Sequence, residues 1–158
     1  MNIQPFDAVL ATPFGALGVR IADDTVSEIR FLPPGTRAVK PKNVLAERTC
    51  AQLSAYLADP QASFDLPLEP AGTDFQRRVW RAIAAIPQGK TLTYGEIARR
   101  LKSAPRAVGQ ACGRNPYPVV VPCHRVVAAN GGLGGFDSAT GGYLIDTKRW
   151  LLTHEKAL

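Results

Sequence analysis

Three consecutive residues, Cys123-His124-Arg125, put a nucleophile, a base and a permanent cation in one short stretch. A thiol attacks well only as thiolate, and a neighbouring base or cation makes that ion accessible. The stretch follows Pro118-Val119-Val120-Val121-Pro122. β-Branched valines suit packed, extended backbone, and proline at either end blocks helix and keeps its predecessor extended. The pattern predicts that Cys123 sits where a rigid, buried extended segment runs out. The competing role for such a cysteine is that of a small buried hydrophobe. Adjacent Cys-His lacks the spacing that closes a tetrahedron around a metal. With His124 and His154 as the only histidines, no metal and no cofactor are expected.

The other residues able to do chemistry lie to either side. A glycine-rich loop from Gly134 to Gly142 carries Phe136, Asp137, Ser138 and Thr140, a composition that lets backbone approach a ligand closely. Glu155 sits at the end of a helical pattern, where the helix dipole disfavours a carboxylate. That misfit fits a second task for Glu155, as does a fraying terminus. Arg106, with Ala107, Gly109, Ala111 and Gly113, gives a thin helix surface able to approach a nucleic-acid groove. Short helix pairs of this kind also serve as plain packing units.

These residues need a scaffold, and its elements are legible in part. Residues 6–32 alternate β-rich runs with the turn signals Thr12-Pro13-Phe14-Gly15 and Asp23-Asp24, predicting a small antiparallel sheet. Leu45, Thr49, Leu53, Tyr56 and Leu57 recur at helical spacing, so a helix over 43–58 should cover it. Phe64, Leu66 and Leu68 alternate as a short strand, with Pro67 and Pro70 arguing for an edge position or a linker. Thr73-Asp74-Phe75-Gln76 and Thr93-Tyr94-Gly95-Glu96 are capping boxes that open two helices. Ser103 with Pro105 should start a third, with Cys112 on its inner face, and Leu144 to Glu155 a last one. The chain therefore reads as α/β, with a scaffold domain over 1–70 and a mostly helical domain over 71–158.

Charge divides the same way. Residues 1–70 hold 6 Lys/Arg against 8 Asp/Glu, whereas residues 71–158 hold 13 against 5. The basic half suggests a polyanion partner, set against a merely solvated basic surface. No apolar run approaches the ~20 residues of a membrane span, and three widely spaced cysteines form no disulfide framework. A soluble, cytoplasmic protein with no membrane partner is expected.

Pro122-Cys123-His124-Arg125-Val126 closes a set of separated motifs. Arg106-Ala107-Val108-Gly109 and Asn115-Pro116 precede it, and Trp150-Leu151-Leu152-Thr153-His154-Glu155 follows. In this order they resemble the O6-alkylguanine-DNA alkyltransferase family over roughly residues 70–156. The resemblance implies a ribonuclease H-like N-terminal domain and a winged-helix-like, helix-turn-helix C-terminal domain. It implies direct DNA repair, in which an O6-alkylguanine (or O4-methylthymine) is flipped out of the duplex and its alkyl group moved irreversibly to a cysteine.

Carried over by position, Cys123 is the acceptor, His124 its base through a water, Glu155 the orienter of His124, and Asn115 the brace of the cysteine turn. Tyr94 assists the leaving guanine, and Arg106 fills the space it vacates. Ala107, Gly109, Ala111, Arg114 and Arg125 complete the DNA-facing set, with binding through the minor groove. Tyr94, Cys112, Val126, Phe136, Ser138 and Thr140 line the base pocket, and the carbonyls of Cys123 and Val126 receive the exocyclic amine. The Phe136–Gly142 segment is about three residues longer than the family's usual loop, which leaves Ser138 and Thr140 both open as the contact to the base oxygen. A monomer acting once and needing no protein partner follows. A lesion sensor is disfavoured because such relatives lack the cysteine. A transcription regulator would bring dimerisation heptads, which are not seen. A Cys-His hydrolase fails if adjacent side chains on extended backbone point to opposite faces.

Overall fold

The computed structural model describes residues 5–130, 132–136 and 141–158. It divides into two compact units, Met1–Pro70 and Ala71–Leu158. In the first, β1 (Ala8–Thr12), β2 (Gly15–Ala22) and β3 (Thr25–Leu32) form an antiparallel meander in the order β1-β2-β3. Gly15 is required at the first turn: its φ is +138°, and a Cβ there would lie 2.5 Å from the Leu32 carbonyl oxygen. Helix α1 (Val44–Ala58) starts at Asn43, whose side chain accepts from the Ala46 amide at 2.8 Å. Leu17, Val19, Ile29, Leu53 and Tyr56 form the buried core between sheet and helix.

The Phe64–Leu68 strand does not form. Only Leu68 makes an isolated parallel bridge to Val26, held by Val26 N–H to the Pro67 carbonyl at 2.7 Å and Glu69 N–H to the Val26 carbonyl at 2.9 Å. Pro67 and Pro70 have no N–H to extend the ladder, so alternation alone could not produce a strand.

The second unit holds the chemistry-bearing residues. Helix α2 (Asp74–Ala84) and helix α3 (Tyr94–Leu101) each begin with a complete capping box, Thr73/Gln76 and Thr93/Glu96. Between them, β4 (Leu92–Thr93) pairs in parallel with β5 (Val126–Val127), joining Leu92 to Val126 and Thr93 to Val127. This two-residue pair sets the start of α3, and so Tyr94, beside the segment that follows Cys123. Helix α4 (Pro105–Gly113) starts two residues later than Ser103, with Ala104 in the cap position and no side-chain cap. Ser103 instead closes α3: after Lys102 turns left-handed (φ 54°), the Ser103 amide reaches the Ala98 carbonyl at 2.8 Å. Trp80 of α2 donates its indole N–H to the Ala111 carbonyl at 2.9 Å, locking α2 to α4. Helix α5 (Tyr143–His154) ends the fold, burying Thr147, Lys148, Leu151 and Leu152.

The valine run is a turn rather than an extended segment. Val121 N–H bonds the Tyr117 carbonyl at 2.8 Å, and Val119 adopts φ 74°, a left-handed conformation that costs a β-branched residue about 1–3 kcal/mol. Asn115 holds this conformation from inside the turn. Its Oδ1 accepts from Tyr117 N–H and its Nδ2 donates to the Val121 carbonyl, both at 2.9 Å. Val119 is also buried. Buried packing and two side-chain bonds outweigh β propensity, which is a weak and context-dependent preference. Cys123 consequently lies in a single 3-10 turn, Cys123–Arg125, and adjacent side chains need not oppose each other.

Thr93 supplies the cap that fixes the first turn of α3, so Thr93→Ala should lower stability by about 1 kcal/mol. The check is a urea denaturation, in which the midpoint falls while the slope stays unchanged.

Candidate active site

The buried carboxylate of Glu155 organises the site. It is the cap residue of α5 and is fully buried, as is His124. Arg125 grips it with both edges of the guanidinium, Nε to Oε1 and an Nη to Oε2, each at 2.9 Å. His124 Nε2 lies 2.9 Å from Oε2. Arg125 also donates to the Ile86 carbonyl at 2.7 Å, and Gln88 donates to the Glu155 main-chain carbonyl at 2.7 Å. The loop after α2, the 3-10 turn and the end of α5 are thereby tied to one residue. The position near a helix end that disfavours a carboxylate is offset by two charge-assisted bonds from one arginine.

This arrangement decides the imidazole's tautomer. An ionised carboxylate only accepts, so Nε2 must carry the proton and Nδ1 must hold a lone pair. Burial holds the His124 pKa below its ordinary value, against the opposing pull of Glu155. His124 is thus neutral near pH 7. Its Nδ1 is buried and has no hydrogen-bond partner among the described residues. A neutral imidazole with a free lone pair is a base.

Cys123 is 5% exposed and receives a bond from Asn115 Nδ2 at 3.2 Å. Hydrogen bonding to Cys112 and burial push its thiol well above the ordinary value, while Asn115 and the Lys148 ammonium act in the opposite direction. The resting group is a neutral thiol whose anion has a donor and a cation ready to receive it.

Lys148 has no counterpart among the residues singled out from sequence. It is fully buried on α5 and donates to the Val126 carbonyl at 2.7 Å, the Gly135 carbonyl at 3.0 Å and the Tyr94 oxygen at 3.5 Å. Its ammonium lies 5.7 Å from the Tyr94 ring centre and 5.6 Å from that of Phe136. The Tyr94 hydroxyl in turn donates to the Gly135 carbonyl at 3.2 Å. Burial, and then the thiols of Cys112 and Cys123, hold the phenol far above its usual range, so Tyr94 remains a proton donor. The only sequence signal for Lys148 was its place at i−3 from Leu151, on the inward face of a helix where a lysine is out of character.

The remaining candidates separate by exposure. Arg106 and Arg114 are exposed at opposite ends of α4, and Ala107 and Gly109 are half-buried. A Cβ on Gly109 would lie 4.0 Å from the Tyr94 ring. A groove of about 540 Å³ runs beside α4, lined by Thr73, Phe75, Gln76, Ala107, Gln110, Ala111 and Arg114. Two placements need correction. Arg125 is not on an outer, DNA-facing surface, because its guanidinium is committed to Glu155 and Ile86. Ala111 is 2% exposed, turned toward the protein interior as α4 packs on α2. Cys112 is half-buried beside Cys123, and Val126 and Phe136 are buried. Ser138 and Thr140 lie outside the described residues. The carbonyls of Cys123 and Val126 each accept an internal donor, the Val126 amide and Lys148 respectively.

Burial lowers the Lys148 pKa to about 8, against the opposing influence of Cys112 and Cys123, while the unfolded chain keeps an ordinary lysine near 10.5. Between those two values the unfolded state binds more protons, so stability contributed through Lys148 rises with pH. Wild type should therefore gain stability relative to Lys148→Met from pH 8 to 10.5, measured as the difference in denaturant midpoints. A difference that is flat across that window contradicts the assignment.

Residues 74–157 match the family "6-O-methylguanine DNA methyltransferase, DNA binding domain". A methylated-DNA–protein-cysteine methyltransferase of Methanosarcina barkeri is 36% identical over 155 residues, covering 94% of this chain and 95% of that protein. The enzyme of the same name from Methanosarcina mazei is 49% identical over 107 residues, and that match spans 66% of this chain but only 65% of the relative's own length. The crystal structure of Mycobacterium tuberculosis OGT in complex with DNA superposes with a TM-score of 0.79 at 39% identity, covering 94% of this chain and 91% of that one. On these matches this chain belongs to the 6-O-methylguanine DNA methyltransferase family.

Proposed function

We propose that this protein repairs alkylated DNA by moving the alkyl group of an O6-alkylguanine in duplex DNA to its own Cys123, once per molecule. The observation that carries the reading is the buried set Cys123, His124 and Glu155, with Asn115 Nδ2 on the sulfur at 3.2 Å and a neutral His124 tautomer fixed by Glu155. The relatives named methylated-DNA–protein-cysteine methyltransferases, and the DNA complex of the Mycobacterium tuberculosis protein, support the same substrate.

In this reading His124 Nδ1 draws the Cys123 proton through an intervening water. The thiolate attacks the alkyl carbon in line, the S–C bond forms and the C–O6 bond breaks. The electron pair leaves on guanine, which Tyr94 relieves by donating a hydrogen bond or proton to the ring. Lys148, at the phenol oxygen, polarises that donor and holds its orientation. The thioether formed is stable, and nothing in the chain regenerates the thiol, so the reaction stops at one turnover.

A stacked base is out of reach, so the reading requires the nucleotide to leave the duplex at a cost of a few kcal/mol. We assign α3 and α4 as the helix-turn-helix of a winged-helix-like unit, with α4 in the minor groove and exposed Arg106 filling the gap left by the base. Arg114 and the groove beside α4 take the backbone, and exposed arginines on α2 and α3 add sequence-independent attraction that salt should weaken. The first unit is assigned a ribonuclease H-like, scaffolding role, and the protein acts as a monomer.

Duplex carrying a labelled O6-methylguanine should leave one methyl on the tryptic peptide 115–125, a gain of about 14 Da per chain on Cys123. An intact lesion held tightly would overturn the transfer reading in favour of lesion sensing. Arg106→Ala should slow repair of duplex at least tenfold while barely changing reaction with the free alkylated base, read as second-order rate constants for each substrate. Equal losses on both substrates would remove Arg106 from base extrusion.

A further inference from the structure

Gln88 has no part in the proposed reaction, yet it bonds directly to the residue that orients the base. Its side-chain Nε2 donates to the Glu155 main-chain carbonyl at 2.7 Å, across 67 positions of sequence. A carbonyl only accepts, so the nitrogen end of the amide faces it and the contact depends on an N–H at position 88. Two residues earlier the Ile86 carbonyl accepts from Arg125 at 2.7 Å, and Arg125 grips the Glu155 carboxylate. One short loop therefore touches both members of the buried ion pair, the guanidinium through Ile86 and the carboxylate's own backbone through Gln88.

The loop is shaped to hold that side chain still. Lys90 N–H closes a turn on the Pro87 carbonyl at 3.1 Å, and Gly89 takes the third place of the turn at φ +86°, a conformation that favours glycine. Gln88 is the second residue of this turn and is half-buried. Its partner is one that needs fixing. Glu155 caps α5, where the last carbonyls lack partners within the helix and ends fray. Directly after it the chain leaves the helix, with Lys156 left-handed at φ 59° and its amide on the Thr153 carbonyl at 3.0 Å. A carboxylate on a fraying residue would wander relative to His124, whose Nε2 lies 2.9 Å from Oε2. Gln88 satisfies the carbonyl of that same residue from a different element.

We propose that Gln88 is a positioning residue: by pinning the main chain of Glu155 it keeps the carboxylate in register with His124 Nε2, and so keeps the Nδ1 lone pair available as the base. Its kinetic consequence rests on the proposed alkyl transfer, whereas its effect on the imidazole does not. Because Gln88 acts through His124, its loss falls equally on duplex and on free alkylated base, unlike that of Arg106.

The test uses the full chain with three substitutions. Gln88→Met keeps the length of the side chain and removes the donor, Gln88→Asn keeps the donor and shortens its reach, and Gln88→Lys restores a donor at similar reach. The thermal midpoint of each variant sets a working temperature at which it is folded. Gln88→Met and Gln88→Asn should lower the second-order rate constant for methyl transfer about tenfold, on duplex and on free O6-methylguanine alike. In both, the nitrogen-15 spectrum of His124 should lose its single Nε2–H form. Gln88→Lys should recover that form and bring the rate on the free base to within about threefold of wild type. The free base separates this recovery from the charge that lysine adds toward DNA. Folded Met and Asn variants that keep the His124 tautomer and the wild-type rate would overturn the proposal, even with a lowered thermal midpoint, since that is the mark of a purely structural bond. A wild type that transfers no methyl group would overturn the function instead, and the tautomer would still decide for or against Gln88.

Discussion

One buried carboxylate sets the terms for the rest of the second unit. Glu155 is sealed from water, and a charge in that position is tolerable only when paired and fully hydrogen-bonded. Arg125 supplies the opposite charge in a two-pronged grip, and His124 supplies a neutral donor. Removing Arg125 would leave the Glu155 carboxylate an uncompensated ion, a loss of roughly 3–5 kcal/mol for a buried pair. The network therefore dictates that α5 ends where it does, that the 3-10 turn lies against it, and that the imidazole keeps its proton on Nε2 and its lone pair on Nδ1. Stability and the proposed chemistry are carried by the same three bonds.

The second constraint is a balance rather than a bond. In the proposed reaction Cys123 must be unreactive while it waits and anionic when it attacks. Cys112 and burial favour the thiol, whereas Asn115 and Lys148 favour the thiolate. A nucleophile held as a thiol resists adventitious alkylation and oxidation, both of which act on the anion. The base needed to tip the balance is on hand in a His124 that burial keeps unprotonated. Lys148 connects this balance to the opposite wall of the site, since its ammonium also fastens the Tyr94 oxygen and the Gly135 carbonyl.

How much of this was legible in the sequence depends on the range of the interaction. Capping boxes at Thr73 and Thr93 are contacts across three residues, and both helices begin where those residues stand. The three-stranded meander is likewise a product of adjacent runs and tight turns. The local patterns failed where distant partners decided. Val119 left the extended region because Asn115 braces its turn, and the strand expected near Leu68 shrank to a bridge because two prolines deny it donors. At the site, the Cys-His-Arg triplet and Glu155 were visible as residues out of keeping with their surroundings. That Arg125 faces inward rather than outward rests on a carboxylate thirty residues away, which no local pattern encodes. Lys148 was hidden for the same reason: a lysine on an inward face carries no period, and only the carbonyls of Val126 and Gly135 explain it.

The central claim is that burial keeps His124 neutral while Glu155 fixes its tautomer, with the proton on Nε2 and a lone pair on Nδ1. The direct measurement is a nitrogen-15 NMR titration of the imidazoles, which the chain makes tractable by having only His124 and His154. The account predicts a His124 spectrum of the Nε2–H tautomer, unchanged from pH 8 down through the ordinary histidine midpoint near 6.5. In Glu155→Gln that tautomer preference should weaken. A His124 that is protonated at pH 7, or that carries its proton on Nδ1, would contradict the account.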